Sequence, residues 1–151
     1  MNKLNNIEIA TDRFILRSLS EKDVTAQYLS WMNDDAEIKK YISYSAQSVT
    51  RENLVNYIKE KNSCSDNVFL GIFLKGSSYH IGNIKFEPLD LVNNYTILGM
   101  FIGDLNWRSK GAATEVVFAL KQWLYETLNI NQIILGVEEN NEAAIRMYKK
   151  T

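Results

Sequence analysis

Met100-Phe101-Ile102-Gly103-Asp104-Leu105-Asn106-Trp107-Arg108-Ser109-Lys110-Gly111-Ala112-Ala113-Thr114-Glu115 is the stretch on which the fold turns. A strand-like apolar run ends at Ile102, and a basic loop follows with Gly111 at its end. From there a helical pattern begins: Ala113, Val116, Val117, Leu120, Trp123, Leu124 and Leu128 recur at three and four residues. This predicts a long helix from about Ala112 to Leu128. The first backbone N–H groups of a helix have no intrahelical acceptor. Together with the positive end of the helix dipole they attract anions. Gly111 lets the backbone approach an anion closely, Ala112 and Ala113 are too small to block it, and Arg108 and Lys110 add positive charge. Two readings fit these residues: a phosphate or pyrophosphate site, or an ordinary solvated strand-to-helix turn. Neither G-x-x-x-x-G-K-[ST] nor G-x-G-x-x-G is present.

Upstream, Val68 to Leu74, Tyr79 to Phe86 and Tyr95 to Ile102 are rich in β-branched and aromatic residues. Lys75-Gly76-Ser77-Ser78 and Asn93-Asn94 are turn signals, and Pro88 is expected to end the second run. Three strands with short turns predict an antiparallel meander. Phe14 to Arg17 reads as an earlier strand. Ser20 and Asp23 resemble a capping box opening a helix that carries Val24, Tyr28 and Trp31, interrupted at Asn33-Asp34-Asp35. A second helix is expected from about Thr50 to Lys61, with Leu54, Val55 and Ile58 on one face. Downstream, Ile133 to Val137 suits a buried strand, and Asn141 to Lys149 reads as a last helix. The whole is a mixed α/β (α+β) domain around one sheet.

The chain has 151 residues, 46% of them hydrophobic and 23% charged, the balance of one soluble globular domain. Lys plus Arg is 17 and Asp plus Glu is 18, so nothing points to nucleic acid as the main partner. No run approaches the length of a membrane span, and Met1 to Asn6, with no apolar stretch, is not expected to act as a signal peptide. The single cysteine, Cys64, excludes an internal disulfide or a cysteine-based zinc cluster. A cytoplasmic protein without a metal is expected.

Arg108-x-x-Gly111-x-Ala113 resembles the R/Q-x-x-G-x-G/A signature of the GNAT superfamily of acyl-CoA-dependent N-acyltransferases. The context matches as well, because the signature follows the third strand of a meander and opens the longest helix. Asn141 and Tyr148, seven residues apart after a strand, resemble the family's next block. Thr11-Asp12-Arg13-Phe14-Ile15-Leu16-Arg17 is similar to the T-x-R-L-x-L-R start of the subgroup that acetylates ribosomal-protein N-termini, some antibiotics and amino sugars. Tyr28-Leu29-Ser30-Trp31-Met32-Asn33-Asp34 is similar to a motif of members linked to amino-sugar nucleotides. The resemblance covers nearly the whole chain and implies the GNAT fold, a mostly antiparallel mixed sheet flanked by helices. Family members continue past the tyrosine with x-K-x-G-F and two more strands. This chain stops at Thr151, so a single domain over 1–151 lacking those strands is expected, either truncated or completed by a partner, with a homodimer among the options.

The resemblance also implies a mechanism and its residues. Acetyl-CoA is the co-substrate, and an amine on a small molecule or a peptide attacks its thioester directly in a ternary complex. The cofactor's pyrophosphate is expected on Arg108, Ser109, Lys110, Gly111, Ala112, Ala113 and Thr114. Ile102 pairs its backbone with the pantetheine arm, and backbone N–H near Met100 and Phe101 polarises the carbonyl. Tyr148 protonates the leaving thiolate, or else is a core aromatic. Asn141 bonds the pantetheine arm, or caps the last helix, or both. Trp107 packs on the cofactor or on the helix. Trp31, Tyr41 and Tyr44 line the acceptor pocket, with core packing the alternative for Trp31. The attacking amine must be neutral, but no base is assigned among Glu87, Asp104, His80 and Glu115. The acceptor is a nucleotide-linked amino sugar or a protein N-terminus. The competing readings are an inactive CoA-binding or interaction module and a generic phosphate-binding domain.

Overall fold

The structure is a computed structural model that describes residues 6–34 and 48–135. Among these, the strands are β1 (Glu8–Ala10), β2 (Phe14–Ser18), β3 (Val68–Leu74), β4 (His80–Asp90), β5 (Tyr95–Ile102) and β6 (Gln132–Leu135). They lie side by side in chain order in one sheet. Neighbours from β1 to β5 are antiparallel, whereas β6 runs parallel to β5. The helices are α1 (Ala26–Asp34), α2 (Arg51–Ser63) and α3 (Ala112–Leu128). The predicted meander is β3 to β5, and α3 has the predicted ends.

Helices cover both faces of the sheet, so its central strands are apolar on both sides. In β3, Val68, Leu70 and Ile72 join a core with Phe14, Leu16, Ile84, Phe86, Met100 and the Val116, Val117, Leu120 and Leu124 stripe of α3. The alternate residues Phe69 and Phe73 join a second core with Tyr28, Trp31 and Met32 of α1 and Leu54, Val55 and Ile58 of α2. Both ends of α3 are set by left-handed residues. Gly111 precedes it at φ 78° and Asn129 follows it at φ 57°.

Four details depart from the sequence reading. Pro88 does not end β4: the pairing with β5 shifts register between Phe86 and Leu89, and the bulge takes the proline that a regular ladder would exclude. The carboxylate of Asp23 does accept the Ser20 N–H, at 2.7 Å. It closes only a short 3-10 turn over Glu21–Asp23, and α1 starts at Ala26. Glu8–Ala10 is a strand with no period of its own, recruited by pairing with β2. Finally, β6 is not a buried strand within its described residues: Ile133 is half-buried, and Ile134 and Leu135 are exposed. The last predicted helix lies outside the described residues.

Leu120 is fully buried between α3 and the sheet. Leu120→Ala is expected to cost about 2–5 kcal/mol, through lost burial and a cavity, as read from denaturant unfolding.

Candidate functional site

The loop between β5 and α3 has two left-handed residues, Ser109 at φ 60° and Gly111 at φ 78°. Together they turn the chain so that α3 opens with the amides of Ala112, Ala113 and Thr114, which have no intrahelical acceptor. The first in-helix bond is Glu115 N–H to the Gly111 carbonyl, at 3.1 Å. Ser109, Lys110 and Gly111 are exposed. Arg108 donates its Nε to the Ile102 carbonyl at 2.7 Å and so fastens the loop to the end of β5. Trp107 packs edge-on against Phe14 of β2, with centroids 5.6 Å apart, which places it in the core beside the loop.

Glu115 is the anchor. Its carboxylate accepts from Thr11 Oγ1 at 2.6 Å, from Arg13 N–H at 2.9 Å and from Arg13 Nε at 2.7 Å. Arg13 Nη1 also reaches the Lys110 carbonyl at 3.1 Å. The β1–β2 turn is thereby bolted to the start of α3. Burial alone would raise the Glu115 carboxyl. The bonds from Thr11 and Arg13 outweigh it and hold the carboxyl below its ordinary value. This clamp was missed from the sequence, where Thr11 and Arg13 stood out only as a motif.

Strand β5 carries the second half of the site. Gly103 N–H donates to the Ile81 carbonyl at 2.8 Å. Antiparallel bonding alternates, and the register Asn83↔Phe101 and Ile84↔Met100 is regular here. The Phe101 backbone therefore faces β4, while Met100 and Ile102 turn N–H and C=O to the other side. On that side β5 pairs with β6 only from Tyr95↔Gln132 to Leu98↔Leu135 among the described residues.

Gly103 closes the strand against α1. A Cβ there would collide with the Trp31 indole, so only glycine lets the ring lie on the backbone. Trp31 also meets His80 (5.0 Å) and Phe101 (6.1 Å), ring to ring. Its role is core packing. Beside it, between α1, α2 and strands β4 and β5, is a pocket lined by Tyr28, Met32, Leu54, Tyr57, Phe69, Met100 and Phe101, with Asn53, Asn83 and Lys85 as its other polar residues. Tyr41, Tyr44, Asn141 and Tyr148 lie outside the described residues.

The acetyltransferase (GNAT) domain family model matches residues 13–151. The chain belongs to the GNAT acetyltransferase family. It is 29% identical over 142 residues to the uncharacterized N-acetyltransferase p20 of Bacillus licheniformis, with 91% of this chain and 76% of that protein covered. RimL, a ribosomal L7/L12 α-N-protein acetyltransferase solved with coenzyme A, superposes at TM-score 0.82 with 14% identity, covering 95% of this chain and 82% of that one. The microcin C7 self-immunity acetyltransferase MccE, solved with acetyl-CoA and AMP, gives 0.78 at 18% identity, covering 92% and 77%. The fold is the GNAT fold, and the family reaction is acetyl-CoA-dependent acetylation of an amine. Among the described residues no helix is long and apolar enough to cross a membrane.

Four titratable groups of this GNAT domain were candidate bases, and none lines the pocket. Glu115 is clamped. Glu87 is held by Lys61 at 2.8 Å. Asp104 accepts from Tyr79 Oη at 2.7 Å and from Asn106 N–H at 2.9 Å. His80 is buried, stacked on Phe73 at 4.7 Å. Its Nε2 lies 2.9 Å from the Gly82 carbonyl and 2.7 Å from Asn83 Oδ1. A carbonyl only accepts, so Nε2 carries the proton, and Nδ1 is buried without a hydrogen-bond partner among the described residues. Burial holds His80 below its ordinary value against the bonds to Asn83 and Gly82, with Asp23 and Arg17 acting at longer range.

The unfolded chain takes a proton on histidine near 6.5 while the folded chain resists it. Stability is then fully present above that value and falls as the pH drops below it. His80 is the only histidine. Thermal unfolding between pH 7 and 5 should show a fall in Tm that His80→Gln flattens.

Proposed function

We propose that this chain is one acetyltransferase domain in which the β5–α3 loop binds the pyrophosphate of acetyl-CoA and the pocket beside β4 and β5 takes the amine. The observation that supports this most is the opening of α3: three amides without intrahelical acceptors behind the left-handed Gly111. Lys110, Ser109 and Arg108 add charge and donors around them. The pantetheine arm runs along the side of β5 turned away from β4, pairing with Ile102. The Met100 N–H, on the same side, polarises the thioester carbonyl. Phe101, whose backbone faces β4, contributes its ring to the pocket wall. A backbone donor aimed at a developing oxyanion is worth about 3–4 kcal/mol.

The amine attacks the thioester carbon directly. The C–S bond breaks, the thiolate takes its proton from Tyr148, and the proton that the nitrogen releases as the amide forms passes by way of solvent and restores the phenol, with Asn141 holding the pantetheine arm. The acceptor is an amine on a small molecule or a peptide, and the pocket favours the small molecule. Tyr28, Tyr57, Phe69 and Phe101 give it aromatic walls, and no carboxylate among its described lining residues is available to attract a basic peptide. A nucleotide-linked amino sugar fits this better than a ribosomal-protein N-terminus.

Calorimetry tests the cofactor site. Gly111→Trp combines a side chain with a backbone at φ 78° and should weaken acetyl-CoA by at least about tenfold, or 1.4 kcal/mol. Circular dichroism confirms that the variant is folded. Unchanged affinity in the folded variant would exclude the loop as the pyrophosphate site. Tyr148→Phe should lower kcat by about a hundredfold or more at an unchanged KM for acetyl-CoA, followed by thiol release.

A further inference from the structure

Every polar side chain of the pocket carries a donor hydrogen, and the oxygens of Tyr28, Tyr57, Asn53 and Asn83 each already accept a hydrogen bond. The Tyr28 hydroxyl already accepts from Asn83 Nδ2 at 2.9 Å. The Tyr57 hydroxyl accepts from Lys85 Nζ at 2.8 Å. The Asn53 carbonyl oxygen is taken by the Thr50 N–H at 3.0 Å in the cap of α2, which leaves its NH₂. The phenolic protons of Tyr28 and Tyr57 have no acceptor among the described residues.

The direction at Tyr28 is fixed from deeper in the fold. The Gly82 carbonyl forces the proton onto His80 Nε2, and that proton turns Asn83 Oδ1 toward the ring. The amide's NH₂ then points to Tyr28, so the phenol accepts from Asn83 and keeps its own proton to donate elsewhere. Burial pushes this phenol well above its ordinary value, which keeps it protonated.

Charge agrees with hydrogen bonding. Lys85 is the one charged residue among the described residues that line the pocket. Glu87 lies 3.6 Å from it but is bound more closely by Lys61, at 2.8 and 2.9 Å. Two ammonium groups share the Glu87 carboxylate and flank the Tyr57 ring, with Glu60 acting on Lys61 at longer range. An array of donors with a cation complements a group that only accepts and is negative.

We infer that the pocket recognises an anionic group, a carboxylate or a phosphate, on the acceptor amine, through Lys85, Tyr57 and Tyr28. The inference rests on the reading of this pocket as the acceptor side of an acetyltransferase. It makes the substrate an amine with an acidic tail and disfavours polyamines and plain alkylamines.

The test uses the whole chain, saturated with CoA so that no transfer occurs, and calorimetry with two matched pairs. One pair is O-phosphoethanolamine and ethanolamine; the other is β-alanine and β-alaninamide. At least one anionic member should bind about tenfold more tightly than its neutral-tailed partner, and Lys85→Gln should remove the difference. The pair that shows it tells phosphate from carboxylate. Tyr28→Phe, a second variant that removes only a hydroxyl, should reduce it as well. Equal binding within both pairs overturns the inference. So does a preference that survives Lys85→Gln and vanishes in Gly111→Trp, because the anion would then sit in the loop before α3. Acetyl-CoA affinity and transfer are measured separately. Transfer to neutral and acidic amines alike would leave the acetyltransferase reading standing and sink this one. A Lys85-dependent anion preference without acetyl-CoA binding would do the reverse.

Discussion

The carboxylate of Glu115 holds together parts of the chain that share no ladder. It sits in the first turn of α3 and takes bonds from Thr11 and Arg13, about a hundred residues earlier. An acid at this place already suits the helix dipole. Here it also fixes where α3 begins relative to β2, and Arg13 extends the clamp to the Lys110 carbonyl. The loop that opens onto the α3 amides is thus gripped from outside, while Arg108 grips it from inside at Ile102. Positive charge near the proposed anion site is partly spent on architecture, and the backbone amides are left open at the start of α3.

The sheet separates two tasks. One face carries α3 and the larger core, which supports the loop. The other carries α1 and α2 and the pocket proposed for the acceptor. Strand β5 belongs to both. Met100 sends its side chain into the first core, while its backbone faces away from β4. Phe101 sends its ring to the second core. A single strand therefore sets the distance between the proposed thioester and amine.

Much of this was legible in the sequence where a strong local pattern met no tertiary competitor. The ends of α3 were readable because the Val116–Leu124 stripe is bounded by Gly111 and Asn129, both of which take left-handed backbone. Strands β3 and β5 were readable from composition. Pro88 misled because a bulge, a property of two strands together, absorbed it. β1 was invisible because Glu8-Ile9-Ala10 becomes a strand only beside β2. The loop residues emerged from spacing together with the family resemblance. The pocket's donors did not: Tyr28, Asn53, Tyr57 and Lys85 lie on three elements, and nothing local reveals that the Tyr28, Asn53 and Tyr57 oxygens already accept hydrogen bonds.

The contact between Gly103 and Trp31 has a consequence for how the two halves of the site can diverge. The indole lies where any Cβ would stand, so the helix beside the pocket and the strand that leads into the loop are in direct steric register. Position 103 cannot gain even a methyl unless position 31 shrinks. A smaller residue at 31 would in turn uncover Phe101 and His80. Among descendants of this sequence these two sites should change as a pair, and remodelling of the pocket by way of α1 has to pass through the point where β5 hands the chain to the loop.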